Sequence, residues 1–353
     1  MAKGRIGLDI GSTAVRAVEL SGEDPFTVVH AAQVGLPSGA VENGEVRDPS
    51  VVAEALKELW QRGGFKQRRV YMGVGNQRVV VREIALPYLP DKELRASLGF
   101  QVQEFIPMPV DDAVLDFDPI EEFEQEGRKM LRMLLVAAQR AMVDQMVSAV
   151  LDAKLEPLGL DLIPFAMVRA VGSPTAGMDL EGSGDEAVID IGAHVTNIVV
   201  HARGTTRFVR ILPSGGRDIT LAVARGLGVE DDVAERLKRG EVVAGLEEIP
   251  DPSQVQQLAI QRATSFVDEI RSSLEFYTAQ AQGVTIERVV VSGGGAKLDG
   301  FMELLQQRIP VEIDAGRVFE KVRHNLSLSD EALAEAEPLL AVAVGLAIPG
   351  RIA

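Results

Sequence analysis

Two carboxylates in matching surroundings carry the most telling chemistry in this chain. Asp9 sits in Arg5-Ile6-Gly7-Leu8-Asp9-Ile10-Gly11-Ser12-Thr13. Asp190 sits in Ala187-Val188-Ile189-Asp190-Ile191-Gly192-Ala193-His194-Val195-Thr196. Each is an alternating, β-branched run that reaches Asp-Ile-Gly, passes small or hydroxyl residues, and enters a second alternating run, Val15–Leu20 or Asn197–His201. The pattern predicts a β-hairpin with a Gly-containing turn. Glycine lets the main chain approach a ligand, and turn N–H groups suit a phosphate. A carboxylate at a strand end suits a hydrated Mg²⁺. Two such hairpins predict two similar half-domains holding one polyphosphate from opposite sides. Ser292-Gly293-Gly294-Gly295-Ala296 adds a third element, between a strand at Arg288–Val291 and a helix at Gly300–Arg308. Its glycines let a helix N-terminus face a ligand. Each element alone has an ordinary structural explanation; the three in this order point to a nucleotide.

The elements that position them need two domains, and 353 residues suffice. A formal net charge of −16 shows no basic footprint for nucleic acid. The chain has no cysteine, which excludes disulfides, zinc–thiolate sites and thiol catalysis. The start runs directly into a strand, without a signal-peptide pattern. The longest apolar stretch, Leu339 to Ile348, is short of the ~20 residues a bilayer needs. A cytoplasmic location is expected.

Residues 35–50 read as loop, followed by a helix from Pro49 to Trp60 that ends at Gly63-Gly64. Residues 86–160 read as an inserted module of helix (to Phe105), strand (113–117), strand (129–138) and helix (Met142–Leu158), with Gly159 as the last helix's C-cap. Within it, Glu121–Gly127 reads as an acidic turn or loop. Residues 172–185 read as the passage between halves, and Gln254–Gln282 as a long helix.

The order Asp-Ile-Gly, Asp-Ile-Gly, Ser-Gly-Gly-Gly-Ala resembles the superfamily of actin, heat-shock chaperones and sugar kinases. Within it the chain resembles the PilM family of type IV pilus assembly proteins, related to the cell-division protein FtsA. Gly7–Leu20, Ile106–Phe117, Ala187–Thr196, Phe208–Thr220, Glu235-Arg236-Leu237-Lys238, Glu269–Tyr277 and Val291–Gly300 carry the likeness, which runs nearly end to end. It implies an α/β, actin-like two-domain fold with duplicated ribonuclease-H-like halves and an inserted FtsA-type subdomain. The implied division is 1–85 with 161–184 and 330–353 as the first half, 86–160 as the insert, 185–217 with 285–329 as the second half, and 218–284 as its helical subdomain.

By the same resemblance, Gly11, Ser12 and Thr13 form a first phosphate loop, with Arg16 where relatives often keep a phosphate-reaching Lys. Gly192 and Thr196 belong to a second loop, and Asp9 and Asp190 hold Mg²⁺ through water. Gly215 and Gly216 approach the phosphates or ribose. Glu235 and Lys238 contact ribose and base, although an exposed i,i+3 ion pair is nearly as good a reading of these two. Gly293, Gly294 and Gly295 underlie the adenine and α-phosphate of ATP. Two departures bear on hydrolysis. Ala193 replaces a second Asp of actin, and Ile163 replaces a Glu that chaperones carry before the Pro matching Pro164. No general base is obvious; Asp161 is a weak substitute. Tight ATP binding with slow or no hydrolysis is expected.

The implied role is a scaffold that binds the cytoplasmic N-terminal peptide of a PilN-like inner-membrane protein, in a groove between the first half and the insert. It would be recruited to the membrane's inner face, with the pilus motor ATPase and self-association as further contacts. Two rivals remain. A sugar or acetate kinase would need a catalytic Asp and longer insertions. An FtsA-like membrane-associated polymer would need an amphipathic terminal helix, whereas this sequence stops at Pro349–Ala353.

Overall fold

A computed structural model describes residues 4–174, 184–244, 250–281 and 284–350. The expected passage 172–185 and the chain's last residues therefore fall largely outside the described residues.

Two β-sheets repeat one plan. In the first, the hairpin Arg5–Ile10/Ala14–Ser21 extends to Thr27–Gly35 on one side. On the other side Arg69–Val74 and then Glu156–Leu162 pair in parallel. In the second, Asp185–Ile191/Thr196–Ala202 extends to Thr205–Leu212, with Ile286–Ser292 and Glu312–Ala315 added in parallel. The alternating β-branched runs form the hairpins. The parallel strands need crossovers, and helices supply them. The helix Pro49–Gly63 starts at Asp48, whose carboxylate accepts the Ser50 and Val51 N–H groups at 3.1 Å. It ends at left-handed Gly64.

The helices Ile163–Val171 and Asp330–Ala347 lie between the sheets. Their Ala166, Ala170, Ala341 and Val344 share one core with Val18 and Leu20 of the first sheet and Val188 and Val199 of the second. The last helix packs so closely on the first strand that a Cβ on Gly7 would fall 2.7 Å from the Ala347 nitrogen. This central layer fixes how the two Asp-Ile-Gly turns approach each other. Helices Gly216–Leu227, Asp231–Lys238 and Pro252–Gln280 cover the second sheet and share its core through Ile219, Ala234, Ala263 and Phe266.

A third sheet has the order Val79–Pro87, Arg128–Gln139, Ala113–Gln125 and carries the helix Asp91–Val102. Ile84, Leu94, Leu98, Phe117, Met133 and Leu135 give it a core of its own. Four details differ from the sequence reading. The acidic segment is not a loop: Glu121–Gln125 continues the strand, and the chain turns at Glu126-Gly127, both at positive φ. Basic cross-strand neighbours neutralise it, with Lys129–Glu122 and Arg132–Glu121 at 2.6 Å. The following helix is Arg140–Asp152, and Gly159 lies in the strand Glu156–Leu162 rather than capping that helix. Met142, Met146 and Val150 of this helix pack into the first half's core. The buried residues of the separate core run from Ile84 to Ala137, while Val79 and Ala138 at its margins join the first half's core. Finally, the loop at 35–50 contains a short hairpin, Val41-Glu42/Glu45-Val46, turning at Asn43-Gly44 with φ of 51° and 74°.

Candidate nucleotide cleft

The two Asp-Ile-Gly turns close identically. Gly11 donates its N–H to the Ala14 carbonyl at 3.0 Å, and Gly192 to that of Val195 at 2.9 Å. Ser12 and Thr13 complete the first turn. The hairpin registers also match: Asp9 lies opposite Arg16, and Asp190 opposite Asn197. Asp9 and Asp190 are both buried, at 8% exposure. Burial raises the Asp9 pKa, and the Arg16 guanidinium, 3.3 Å away, opposes that rise. Gln33 accepts from Arg16 Nε at 2.7 Å and holds it in place. Burial, and then the charge of Asp9 across the cleft, push Asp190 up to about 7; a hydrogen bond from Asn197 pulls the other way. The carboxylates of the two halves therefore feel each other.

The second half gathers the remaining glycines around its turn. Gly216 and Arg217 donate their N–H groups to the Gly192 and Ala193 carbonyls at 3.0 and 2.8 Å, docking the helix Gly216–Leu227 on the loop. A Cβ on Gly215 would fall 2.7 Å from the Ala193 oxygen, while one on Gly216 would meet Gly295 Cα at 3.5 Å, the Gly192 oxygen at 3.8 Å and Lys238 Nζ at 3.9 Å, all at ordinary contact distance. Gly293 has φ of 91°, with Asp190 Oδ1 2.7 Å from a would-be Cβ. Gly294 and Gly295 lie in a short 3₁₀ turn, Gly294–Lys297, and the α-helix starts only at Phe301. The glycine run thus presents main chain rather than a helix N-terminus. The buried Thr196 hydroxyl donates to the Ser214 carbonyl at 2.8 Å, tying the second turn to the strand end before Gly215.

Glu235 and Lys238 are not an exposed surface pair. Lys238 Nζ, with its side chain 12% exposed, contacts Glu235 at 2.6 Å and donates to Thr220 Oγ1 at 2.8 Å and the Gly216 carbonyl at 3.1 Å. Thr220 also donates to Glu235. Burial holds Lys238 below the usual lysine range, although Glu235 opposes that shift. For Glu235 burial is the largest single influence and acts upward; Lys238, Thr220 and Arg239 together outweigh it and lower the pKa.

Sequence reasoning missed one residue. Asn197 occupies in the second hairpin the place of Arg16 in the first. It is 3% exposed, and its Oδ1 has no hydrogen-bond partner among the described residues. It closes the cleft floor, 2.5 Å from a would-be Cβ on Gly75 of the first half. Its equal offset from the Asp was the available signal. His194 in the second turn accepts the Asn43 N–H at 3.1 Å and so bridges the halves. Asp161, by contrast, is engaged with Arg169 and the Leu162 N–H.

These residues fit a magnesium–nucleotide. Two buried carboxylates share one guanidinium, which leaves room for a cation's charge, and an orphaned buried oxygen faces the floor. Among the described residues no group of three or more His, Asp or Glu could ligate a metal directly. Asp9 and Asp190 would hold Mg²⁺ through its water, the usual habit of that ion.

Fold and cleft together define an actin-like ATPase fold. The family of the type IV pilus assembly protein PilM matches residues 7–351, and the chain belongs to that family. A solved PilM–PilN type IV pilus biogenesis complex is 30% identical, with a TM-score of 0.84 over 98% of this chain and 97% of the other. FtsA of Bacillus subtilis (strain 168) is 23% identical over 85% of this chain and 76% of its own length. MreB 5 of Spiroplasma citri bound to AMPPNP shares the fold, at 12% identity and a TM-score of 0.55 over 98% and 95% of the two chains. No helix among the described residues is long and apolar enough to cross a membrane.

Proposed function

We propose that the chain binds Mg²⁺–ATP between its halves and serves as a cytoplasmic scaffold of type IV pilus assembly. The observation that carries the nucleotide reading is the pair of facing hairpins, with Asp9 and Asp190 buried on either side of one cleft. Gly11, Ser12, Thr13 and Arg16 meet the phosphates from one side. Gly192, Thr196, Gly215 and Gly216 meet them from the other. Glu235 and Lys238 reach ribose and base, and Gly293–Gly295 underlie the adenine. ATP acts as a conformational ligand, favouring the closed cleft by differential affinity. Hydrolysis is slow or absent: Ala193 and Ile163 offer no base, and Asp161 is bound to Arg169.

The working units are a first half (residues 4–78 and 140–174), an insert (79–139), a second half with its helical cover (184–315), and the last helix between the halves. The partner is the cytoplasmic N-terminal peptide of a PilN-like membrane protein, which recruits the chain to the inner face of the membrane. Support for this comes from family membership and the likeness to the PilM–PilN complex. Contact with the pilus motor ATPase and self-association complete the reading.

Calorimetric titration of the folded chain with Mg²⁺–ATP tests the nucleotide; absence of binding refutes it. Titration with a synthetic PilN N-terminal peptide tests the partner in the same way.

A further inference from the structure

Val79–Pro87 is an outer strand of the insert's sheet, and Thr205–Leu212 is an outer strand of the second half's sheet. The two face each other across a groove of about 420 Å³, lined by Gln77, Val79–Val81 and Phe208–Ile211. Side chains alternate along a strand. Walls built of consecutive residues are therefore main-chain edges, not side-chain faces. Cα atoms of the two strands come within 8 Å of each other. A guest strand between them needs two spacings, about 9.5 Å, while direct pairing needs about 4.8 Å. The gap is too narrow there for a third strand and at most about 3 Å wider than a pair. Unpaired edges invite pairing, and each of these has the other as its nearest candidate.

Both edges lead back to the cleft. Thr205–Leu212 runs into Ser214-Gly215-Gly216, and the Ser214 carbonyl accepts the Thr196 hydroxyl. Val79 follows Gly75 and Asn76, and Gly75 lies against Asn197. A change in cleft angle therefore moves one edge relative to the other.

We propose that strands 79–87 and 205–212 pair directly in the nucleotide-bound, closed state. The three-stranded and five-stranded sheets then become one, and the cleft sets the position of the insert. This rests on the nucleotide binding proposed above. Closure and edge pairing stabilise each other, since whatever favours one state shifts the population of both.

The absence of cysteine permits a clean test. Val79, Val80 and Val81 are replaced by Cys one at a time, each combined with Phe208→Cys, Val209→Cys or Arg210→Cys in the full chain. Disulfide formation is timed with and without Mg²⁺–AMPPNP. At least one pair is expected to close tenfold faster or more with the nucleotide. If calorimetry shows AMPPNP binding but no pair accelerates, the pairing is overturned and nucleotide binding stands. If AMPPNP does not bind at all, the nucleotide reading falls and the coupling falls with it.

Discussion

Asp190→Asn should stabilise the nucleotide-free protein at pH 8 while abolishing its response to Mg²⁺–ATP. The unfolded chain releases the Asp190 proton near 3.8, and the folded chain near 7. Between these values the unfolded state holds fewer protons, so stability falls as pH rises. The contribution is fully present below 3.8 and lost above 7. The interval is a little over three pH units at about 1.4 kcal/mol each, giving a loss on the order of 4 kcal/mol. Asn has nearly the same shape, accepts the same hydrogen bond from Asn197, and carries no charge to desolvate. Wild type and variant should therefore match near pH 4, with the variant more stable by up to about 4 kcal/mol at pH 8. Urea denaturation at pH 4.5, 6 and 8 reads this difference. Ligand at a hundredfold excess over its dissociation constant should return about 2.7 kcal/mol to the wild type and nothing to the variant. Parallel pH profiles for the two proteins, or a less stable variant at pH 8, would refute the idea that Asp190 is buried at a cost which a cation relieves.

Gly216→Ala and Gly293→Ala should part company. The first adds a methyl at ordinary contact distance, 3.5 Å from Gly295 Cα, so thermal stability holds within about 0.5 kcal/mol while calorimetric affinity for Mg²⁺–ATP drops tenfold or more. The second forces φ of 91° on alanine, with Asp190 Oδ1 2.7 Å away, and should cost at least about 1–3 kcal/mol in denaturant melts. Lys238→Met leaves Glu235 and Thr220 without their ammonium partner and should cost about 1–3 kcal/mol; adding Glu235→Gln should recover stability but not nucleotide affinity, a pattern that a double-mutant cycle reads. Asn197→Ala removes the hydrogen bond that lowers Asp190, so the pH at which stability stops falling should move above 7.

The sequence exposed the hairpins because their pattern is local: alternation, Asp-Ile-Gly, alternation. Pro49 and Gly64 likewise marked a helix by their own backbone preferences. What stayed hidden depended on partners distant in sequence. Glu121–Gln125 reads as a turn or loop because its neutralising Lys129 and Arg132 lie across the chain reversal at Glu126-Gly127. Gly159 resembled a helix cap because the parallel pairing of its strand with Arg69–Val74 leaves no local mark. Adjacency in sequence groups the helix Arg140–Asp152 with the insert, while its methionines fill the first half's core. In the cleft, glycines and carboxylates were legible as types. That Lys238 is buried against the Gly216 carbonyl could be known only once two helices had packed.

The two hairpins share a backbone plan but not a charge plan, and the difference gives the cleft a polarity. Arg16 sits opposite Asp9 and neutralises much of it; Asn197 sits opposite Asp190 and offers only an amide. Above pH 7 the three charged groups sum to one negative charge, and that charge belongs to the second half. A cation entering the cleft meets the unpaired carboxylate of Asp190, while the Arg16 guanidinium faces a phosphate from the other half. A magnesium–nucleotide, cation and anion joined, satisfies both only by spanning the gap. Either ion alone answers one side only. The asymmetry of one position in a duplicated hairpin thus favours a ligand that closes the cleft over ligands that merely enter it.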